Sequence, residues 1–191
     1  MRDRVRSKIH AYAPAEIPLE GRRDSAVLLL LHEVDGIEHL LFQVRASSLA
    51  LHSGEIGFPG GTRHHSDDTL VDTALREVEE EIGVPRAHVE VFGPLDDELT
   101  HSSNYRIRPY AGAVERGLRE FALDAGEVDE LLSIPLAHLQ SPEARGWHPI
   151  DRDGVTELTP AYFHGEYVVW GATARILGQF LAVIEGIEGD A

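Results

Sequence analysis

Three glutamates in one short segment have the spacing expected of ligands for a divalent cation. Glu77, Glu80 and Glu81 fall within about a 100° arc when the chain around them is placed on a helix at roughly 100° per residue. Glu79 points the other way on the same wheel. Mg²⁺ takes hard oxygen ligands such as carboxylates, and a rigid element is needed to make them converge. The pattern therefore predicts a site for Mg²⁺, with Mn²⁺ as a substitute.

A solvated acidic face is the simpler alternative, because acidic runs in a chain of net charge −16 are usually exposed. The carboxylates repel one another at one-turn spacing, and near a helix C-terminus the helix dipole also disfavours negative charge. Two features favour the metal site: the glutamates lie beside an apolar stripe, and a glycine-rich loop precedes them. A cation would remove the repulsion, and Arg76 can pair with Glu79 or Glu80 and orient the cluster.

The element that must hold these glutamates is predicted to be a helix over residues 69–82. Its apolar residues recur at steps of three and four, and Gly83 ends it. The segment before it, residues 51–61, is rich in glycine and is predicted to be a loop. The apolar positions of the helix are Val71, Leu75, Val78 and Ile82.

The rest of the chain is predicted to alternate strand pairs with helices, which favours a mixed α/β sandwich of the α+β type. A hairpin begins at Ala26, with a turn at residues 34–36 whose Asp-Gly pair tolerates positive φ. Further strands are predicted at Val89–Leu95, at Tyr105–Val114 and near Tyr162, and helices at Ala125–Leu132 and from about Val169 to Ile187. The predicted domain spans residues 26–187, after an N-terminal arm of residues 1–25 with a short helix and before a tail of residues 188–191.

Composition excludes several functions. The chain has no cysteine, so disulfides, thiolate zinc sites and cysteine nucleophiles are excluded. The excess of 33 acidic over 17 basic residues opposes binding to nucleic acid or to anionic lipid. No apolar run is long enough to cross a bilayer and no signal peptide is evident, so a cytoplasmic location is expected. The sequence also lacks the HExxH zinc motif, the serine-hydrolase elbow and the P-loop lysine.

The run REVEEEIGV, residues 76–84, resembles the second half of the Nudix box at every fixed position. In the first half, Asp68 stands where the box has glutamate and Thr62 stands where it has glycine. Upstream, the segment LLFQVRASSLALHSGEIGFPGG, residues 40–61, resembles the coenzyme A pyrophosphatase branch of the Nudix family. Later pieces of the same branch are matched by Glu127-Val128-Asp129 and by the residues around Trp170.

This resemblance implies the Nudix fold, a mixed β-sheet between α-helices, and hydrolysis of a nucleoside diphosphate linked to another group. For this branch the implied substrate is coenzyme A, which is cut to phosphopantetheine and adenosine 3′,5′-bisphosphate. The implied metal ligands are Glu77, Glu80, Glu81 and the backbone carbonyl of Gly61. The implied catalytic residues are Glu77, Glu80 and Arg76, and the implied substrate-binding residues are Arg45, His52, Phe58 and Gly60.

Several alternatives stay open at this point. The general base is Glu77, Glu80, or a carboxylate after the box such as Asp97 or Glu98, although Asp96 to Glu98 also fit a polar turn. The substrate is a small nucleotide, either coenzyme A or another pyrophosphate such as ADP-ribose, NADH or a dinucleoside polyphosphate. A nucleotide-sensing module that binds without cleaving is the alternative from another class. A homodimer is compatible with the sequence.

Overall fold

The computed structural model describes residues 1–48, 54–100, 103–118, 120–152 and 154–186, with Arg152 described for its backbone only. Its helices are α1 (Arg2–Ala11), α2 (Leu70–Ile82), α3 (Leu136–Gln140) and α4 (Gly171–Glu185), with short 3₁₀ turns at Arg86–His88 and Pro142–Ala144. Its strands are β1 (Arg23–Val34), β2 (Ile37–Arg45), β3 (Ile56–Gly57), β4 (Gly60–Thr62), β5 (Val89–Pro94), β6 (Glu98–Leu99), β7 (Tyr105–Val114), β8 (Val128–Pro135), β9 (Arg145–Arg152), β10 (Val155–His164) and β11 (Tyr167–Val169).

A mixed eight-stranded sheet forms the centre of the described structure, as the predicted fold class requires. Strand β1 pairs antiparallel with β2 and parallel with β7, from Arg23 opposite Tyr105 to Leu31 opposite Ala113. The run of leucines in β1 is buried because hydrophobic clusters cover both faces of the sheet. The β1–β2 hairpin turns at Asp35 and Gly36, whose φ angles of 49° and 81° confirm the predicted Asp-Gly turn.

Helix α2 lies on one face of this sheet and confirms the predicted helix. Thr69 caps its N-terminus in a capping box with Asp72, and Gly83, with φ 69°, ends it in the left-handed conformation. The buried side of the helix includes Ala74 and Val78, which pack against the leucines of β1. These cap signals are local in the sequence, which is why the helix bounds were predictable.

The predicted helix at Ala125–Leu132 is wrong, because residues 128–135 form strand β8, which pairs antiparallel with β2. Val128, Leu131 and Leu132 fit helical spacing, but Leu132 and Ile134 are buried at the alternate positions of a strand. The backbone groups of β2 need partners on this side, and β8 supplies them. Tertiary pairing therefore decides between two local patterns that both fit.

The helix expected in the N-terminal arm is present as α1, and it packs on the core through Val5 and Ile9. The buried Arg2 guanidinium donates two hydrogen bonds of 3.0 Å to the Glu38 carboxylate and one of 2.8 Å to the carbonyl of Val114. This ion pair fixes the start of the chain against β2 and β7.

A second sheet of three strands, β9, β10 and β11, lies after α3, and the strand expected near Tyr162 is β10. Helix α4 begins at Gly171 because Val169 belongs to β11, and Leu177 and Phe180 bury its inner face. Trp170 is the half-buried N-cap residue of α4. None of the described helices has the length and apolar character needed to span a bilayer.

Candidate active site

The three glutamates of the predicted metal site lie at graded depths on α2. Glu81 is 2% exposed, while the side chains of Glu77 and Glu80 are 12% and 58% exposed. Glu79 has a side-chain exposure of 50% and reaches toward Arg86, away from the other three. The described face therefore consists of a buried carboxylate, a mostly buried one and an exposed one.

The Glu81 carboxylate is held on both of its oxygens. Gln43 of β2 donates a hydrogen bond of 2.8 Å from Nε2 to Oε1, and the backbone N–H of Gly60 donates one of 2.8 Å to Oε2. Burial raises the pKa of Glu81 to about 7, Glu77 adds to the rise, and the two hydrogen bonds oppose it. Both hydrogen-bond donors to Glu81 in the described structure are neutral groups, so the deep burial of this carboxylate is costly, which points to a function.

Glu77 lies directly against the backbone of Gly61. A Cβ atom at position 61 would be 2.4 Å from Glu77 Oε1, so only glycine leaves room for the carboxylate there. Burial raises the pKa of Glu77, the charge of Arg76 opposes the rise, and the carboxylates of Glu80 and Glu127 add to it. Several negative charges thus surround Glu77, and one cation partly balances them.

That cation is Arg76, whose guanidinium bridges the helix to the loop before it. It donates to Glu77 Oε1 at 2.9 Å, to Glu80 Oε2 at 2.7 Å and to the carbonyl of Thr62 at 3.1 Å. Its Nε and Nη2 each donate a 3.1 Å hydrogen bond to the buried carboxylate of Asp67. Arg76 is thus placed to position the glutamates.

Asp67, and not the expected Asp68, provides the buried carboxylate near the start of α2. Besides Arg76, the backbone N–H of His64 and the hydroxyl of Thr73 donate to Asp67 at 2.8 and 2.9 Å. The hydrogen bonds from Arg76 hold the pKa of Asp67 well below its usual range. Asp68 is exposed, so its alignment with the box glutamate does not give it the buried position.

Two of the predicted substrate-binding residues have structural contacts here. Phe58 is buried and stacks on Phe42, with ring centroids 4.8 Å apart. Gly60 uses its N–H on Glu81, and its φ of 155° and the nearby carbonyl of Ala26 leave no room for a side chain. Contact of Phe58 or Gly60 with a substrate stays a prediction.

Of the other two predicted substrate-binding residues, Arg45 falls within the described residues. Arg45 lies at the end of β2, beside a shift in the pairing register with β8, and its charge lowers the pKa of Glu81. It is half-buried near the carboxylates, where it can face an anion. His52 lies outside the described residues.

The carboxylates after the box anchor the N-terminal segment. Asp97 is buried, pairs with Arg108 and accepts a 2.8 Å hydrogen bond from the N–H of Ile17. Asp96 accepts hydrogen bonds from the Tyr12 hydroxyl and the N–H of residue 15, at 2.8 and 2.7 Å. Asp97 thus has a structural partner for each oxygen, which weakens the case for it as a general base.

The chemistry of the donor set fits a divalent cation. Glu81 is buried and Glu77 is mostly buried, the pKa values of both carboxyl groups are raised, and a nearby cation would favour the charged form of each. Glu80 and the carbonyl of Gly61 add hard oxygen atoms beside them. Within the described ranges, no three His, Cys, Asp or Glu side chains already enclose a common point, and Glu77 and Glu80 are bonded to Arg76 instead.

Two residues of this site, Gln43 and Asp67, were missed from the sequence. Gln43 is a polar residue between the apolar residues Phe42 and Val44 of a predicted strand, which was a usable signal. For Asp67 no local signal separates it from its neighbour Asp68, because the fold of the loop decides which one turns inward.

Comparison with known proteins gives one family. A model of the NUDIX domain matches residues 21–158 of this chain. The mitochondrial coenzyme A diphosphatase NUDT8 of Mus musculus is 35% identical over 156 residues, which cover 80% of this chain and 73% of that protein. The human protein of the same name is 35% identical over 154 residues, covering 80% of this chain and 65% of its own length. The Nudix hydrolase NudL of Photorhabdus laumondii is 32% identical over 146 residues, covering 76% and 77%.

Solved structures agree on the fold. The Nudix hydrolase RenU from M. smegmatis superposes with a TM-score of 0.56 over 89% of this chain and 90% of its own, at 16% identity. A MutT/nudix family protein from Enterococcus faecalis has a TM-score of 0.54 over 97% of this chain and 70% of its own, at 13% identity. At such identities the likeness concerns the arrangement of the chain.

Proposed function

Given that this chain belongs to the Nudix family and is a hydrolase, we propose that it uses a divalent cation to hydrolyse the pyrophosphate linkage of coenzyme A, its thioesters or its oxidised forms. The products would be phosphopantetheine, or its derivative, and adenosine 3′,5′-bisphosphate. Nudix hydrolases act on small nucleotide derivatives, and divalent cations are their usual cofactors.

The observation that carries the proposal is the Glu81 carboxylate, buried beside Glu77 and held on both oxygens. A carboxylate so placed gains most from a cation, because burial disfavours its charged form and a second negative charge lies next to it. A solvated acidic face would not bury Glu81 or need glycine opposite Glu77. The alternative of a merely exposed acidic run is therefore disfavoured.

The chain's own residues divide the work as follows. Glu77, Glu81 and the carbonyl of Gly61 would hold the cation, and Glu80 would share in its binding or accept a proton from the attacking water. A bound Mg²⁺ would stabilise negative charge that develops on the phosphoryl oxygens. Arg76 is a positioning residue, since it contacts both Glu77 and Glu80. To hold the cation, these glutamates would give up part of their contact with Arg76, which the exposed Glu80 could do by rotating into solvent.

Three lines support coenzyme A among nucleotide substrates. The mouse and human relatives are named coenzyme A diphosphatases. Residues 40–61 resemble the coenzyme A branch. The charge of Arg45 lowers the pKa of Glu81, so Arg45 lies near this carboxylate. From that position its guanidinium can pair with a phosphate of the ligand. His52 and Phe58 are proposed as further contacts on the same grounds of resemblance.

The test is a parallel incubation with coenzyme A, ADP-ribose, NADH and a dinucleoside polyphosphate, each with Mg²⁺, with Mn²⁺ and with EDTA. We expect release of adenosine 3′,5′-bisphosphate from coenzyme A, abolished by EDTA and by Glu81→Gln but retained in Glu79→Gln. Cleavage of the other substrates alone would reject coenzyme A and keep the reaction class. Binding of nucleotides without cleavage would support the sensing module. A cytoplasmic location and a homodimer stay predictions.

A further inference from the structure

We propose that Gln43 is a positioning residue of the cation site, an inference that rests on the proposed use of a divalent cation. Its amide N–H fixes the Glu81 carboxylate, and its amide oxygen offers an unused acceptor beside that carboxylate. The ligand that Gln43 helps to bind is a hydrated divalent cation.

The contact is buried and direct. Gln43 is 1% exposed, and its Nε2 lies 2.8 Å from Glu81 Oε1. Beside a bound cation Glu81 would be ionised, and an ionised carboxylate can only accept, so the amino group of the amide must then face it and the amide oxygen must face elsewhere. With Gly60 on the other oxygen, Glu81 receives one donor per oxygen and keeps lone pairs for a cation.

The amide oxygen of Gln43 has no hydrogen-bond partner among the described residues, although it is fully buried. A buried acceptor without a donor is destabilising, and such groups are uncommon in folded proteins. Stability alone does not account for it, since the neighbours of Gln43 on β2 include the buried apolar residues Leu41 and Phe42. An apolar side chain would fill the same position without an orphaned polar atom.

The position on the sheet explains why this residue reaches the site. Gln43 pairs with Leu131 of β8 and with Gly57 of β3, so it lies in the interior of the sheet with both neighbouring strands in place. A side chain on such a strand has few accessible rotamers and holds its partner accurately. The orphan oxygen is then an acceptor that a water molecule of a hydrated cation can satisfy, as the partners of metal ligands commonly do.

The test is Mn²⁺ binding to substrate-free protein, measured by electron paramagnetic resonance, for the wild type, Gln43→Met and Gln179→Met. Gln179 on α4 is the matched control, because its amide oxygen is also buried and without a partner in the described structure. We expect Gln43→Met to weaken Mn²⁺ binding by about 10- to 100-fold and to keep the melting temperature of the metal-free protein. Gln179→Met should bind Mn²⁺ as the wild type does.

A kinetic readout separates positioning from simple packing. Gln43→Met should raise the Mg²⁺ concentration for half-maximal activity while retaining most of the activity at saturating Mg²⁺. Should this variant fail to fold, Gln43→Asn keeps the amide but is too short for the contact, and it should show the same loss of Mn²⁺ affinity. Wild-type Mn²⁺ affinity in a folded Gln43 variant would overturn the inference.

The outcome also distinguishes this inference from the proposed substrate. If coenzyme A is not cleaved but Mn²⁺ binding is weakened in the Gln43 variants and not in Gln179→Met, the positioning role stands and the substrate is wrong. If the wild-type protein itself fails to bind Mn²⁺, the cation site and the role of Gln43 both fall.

Discussion

The carboxylate of Asp67 and the guanidinium of Arg76 form a two-point ion pair, with both N–O distances 3.1 Å. The pair joins the loop that contains Thr62 to the helix that bears the glutamates. Arg76 uses its remaining N–H groups on Glu77 and Glu80. Asp67 therefore helps, through Arg76, to set the orientation of two candidate functional carboxylates.

The first prediction concerns this pair. Asp67→Asn removes the charge opposite Arg76 in a buried setting, so we expect a loss of about 3 kcal/mol in the free energy of unfolding and a lower kcat. Asp68→Asn, one residue away and exposed, should change the free energy of unfolding by about 0.5 kcal/mol at most. Urea denaturation followed by circular dichroism measures both. Equal effects of the two variants would contradict the assignment of Asp67.

The second prediction concerns Gly61 and Glu77. Gly61→Ala places a methyl group where the Glu77 carboxylate lies, and a side chain of this length can move away, so the fold should survive. Because a misplacement of about 1 Å can cost about 100-fold in rate, we expect a loss of activity of that order.

The matched control for that variant is Gly57→Ala, since a Cβ atom at Gly57 would meet nothing within 4 Å. It should retain activity. Steady-state assays at saturating Mg²⁺ compare the two, and full activity in Gly61→Ala would show that the position of Glu77 is not critical.

The third prediction is a pH dependence of stability. The pKa of Glu81 is raised from 4.5 to about 7 in the folded protein. The folded state therefore holds this proton more tightly than the unfolded state. The proton on Glu81 therefore adds about 3 kcal/mol to the free energy of unfolding below about pH 4.5. This contribution is lost as the pH rises through about 7.

Glu81→Gln should remove this component, so that the metal-free variant is more stable than the wild type at about pH 8 and similar to it at about pH 4. Saturating Mg²⁺ should restore stability to the wild type and leave Glu81→Gln unchanged. Thermal unfolding with and without Mg²⁺ measures this. The free energy of unfolding of the metal-free wild type should therefore fall relative to that of Glu81→Gln from about pH 4 to about pH 8. A rise would contradict the burial of an ionisable Glu81 with a raised pKa.

The fourth prediction separates anchoring from catalysis at Asp97. Because Asp97 pairs with buried Arg108 and with the N–H of Ile17, Asp97→Asn should lower the free energy of unfolding by about 3 kcal/mol. The kcat of the folded variant should be unchanged. A large fall in kcat with little change in stability would instead support Asp97 as the general base.

Features set by local signals were predictable from the sequence. Helix α2 has a capping residue, an apolar period and a terminating glycine within one stretch of chain, and its bounds agree with the prediction. Strand β7 was likewise placed at its observed bounds. The spacing of Glu77, Glu80 and Glu81 indicated their common side because helical geometry alone determines it.

Features set by distant contacts were not predictable. The helix predicted at Ala125–Leu132 fits the local pattern, but residues 128–135 form a strand because β2 lies beside them. The inward turn of Asp67 depends on the loop closing over Arg76. The contact between Gln43 and Glu81 depends on β2 lying next to α2, because the two residues are 38 positions apart in the chain.

The most direct test of the central claim is an isothermal titration of the substrate-free protein with Mn²⁺, comparing the wild type with Glu81→Gln and Glu79→Gln. Glu79 is the matched control because it lies on the same helix, is exposed and points away from the site. The account predicts saturable binding to the wild type and to Glu79→Gln, and loss of binding in Glu81→Gln. Equal binding to all three proteins, or loss of binding in Glu79→Gln alone, would contradict it.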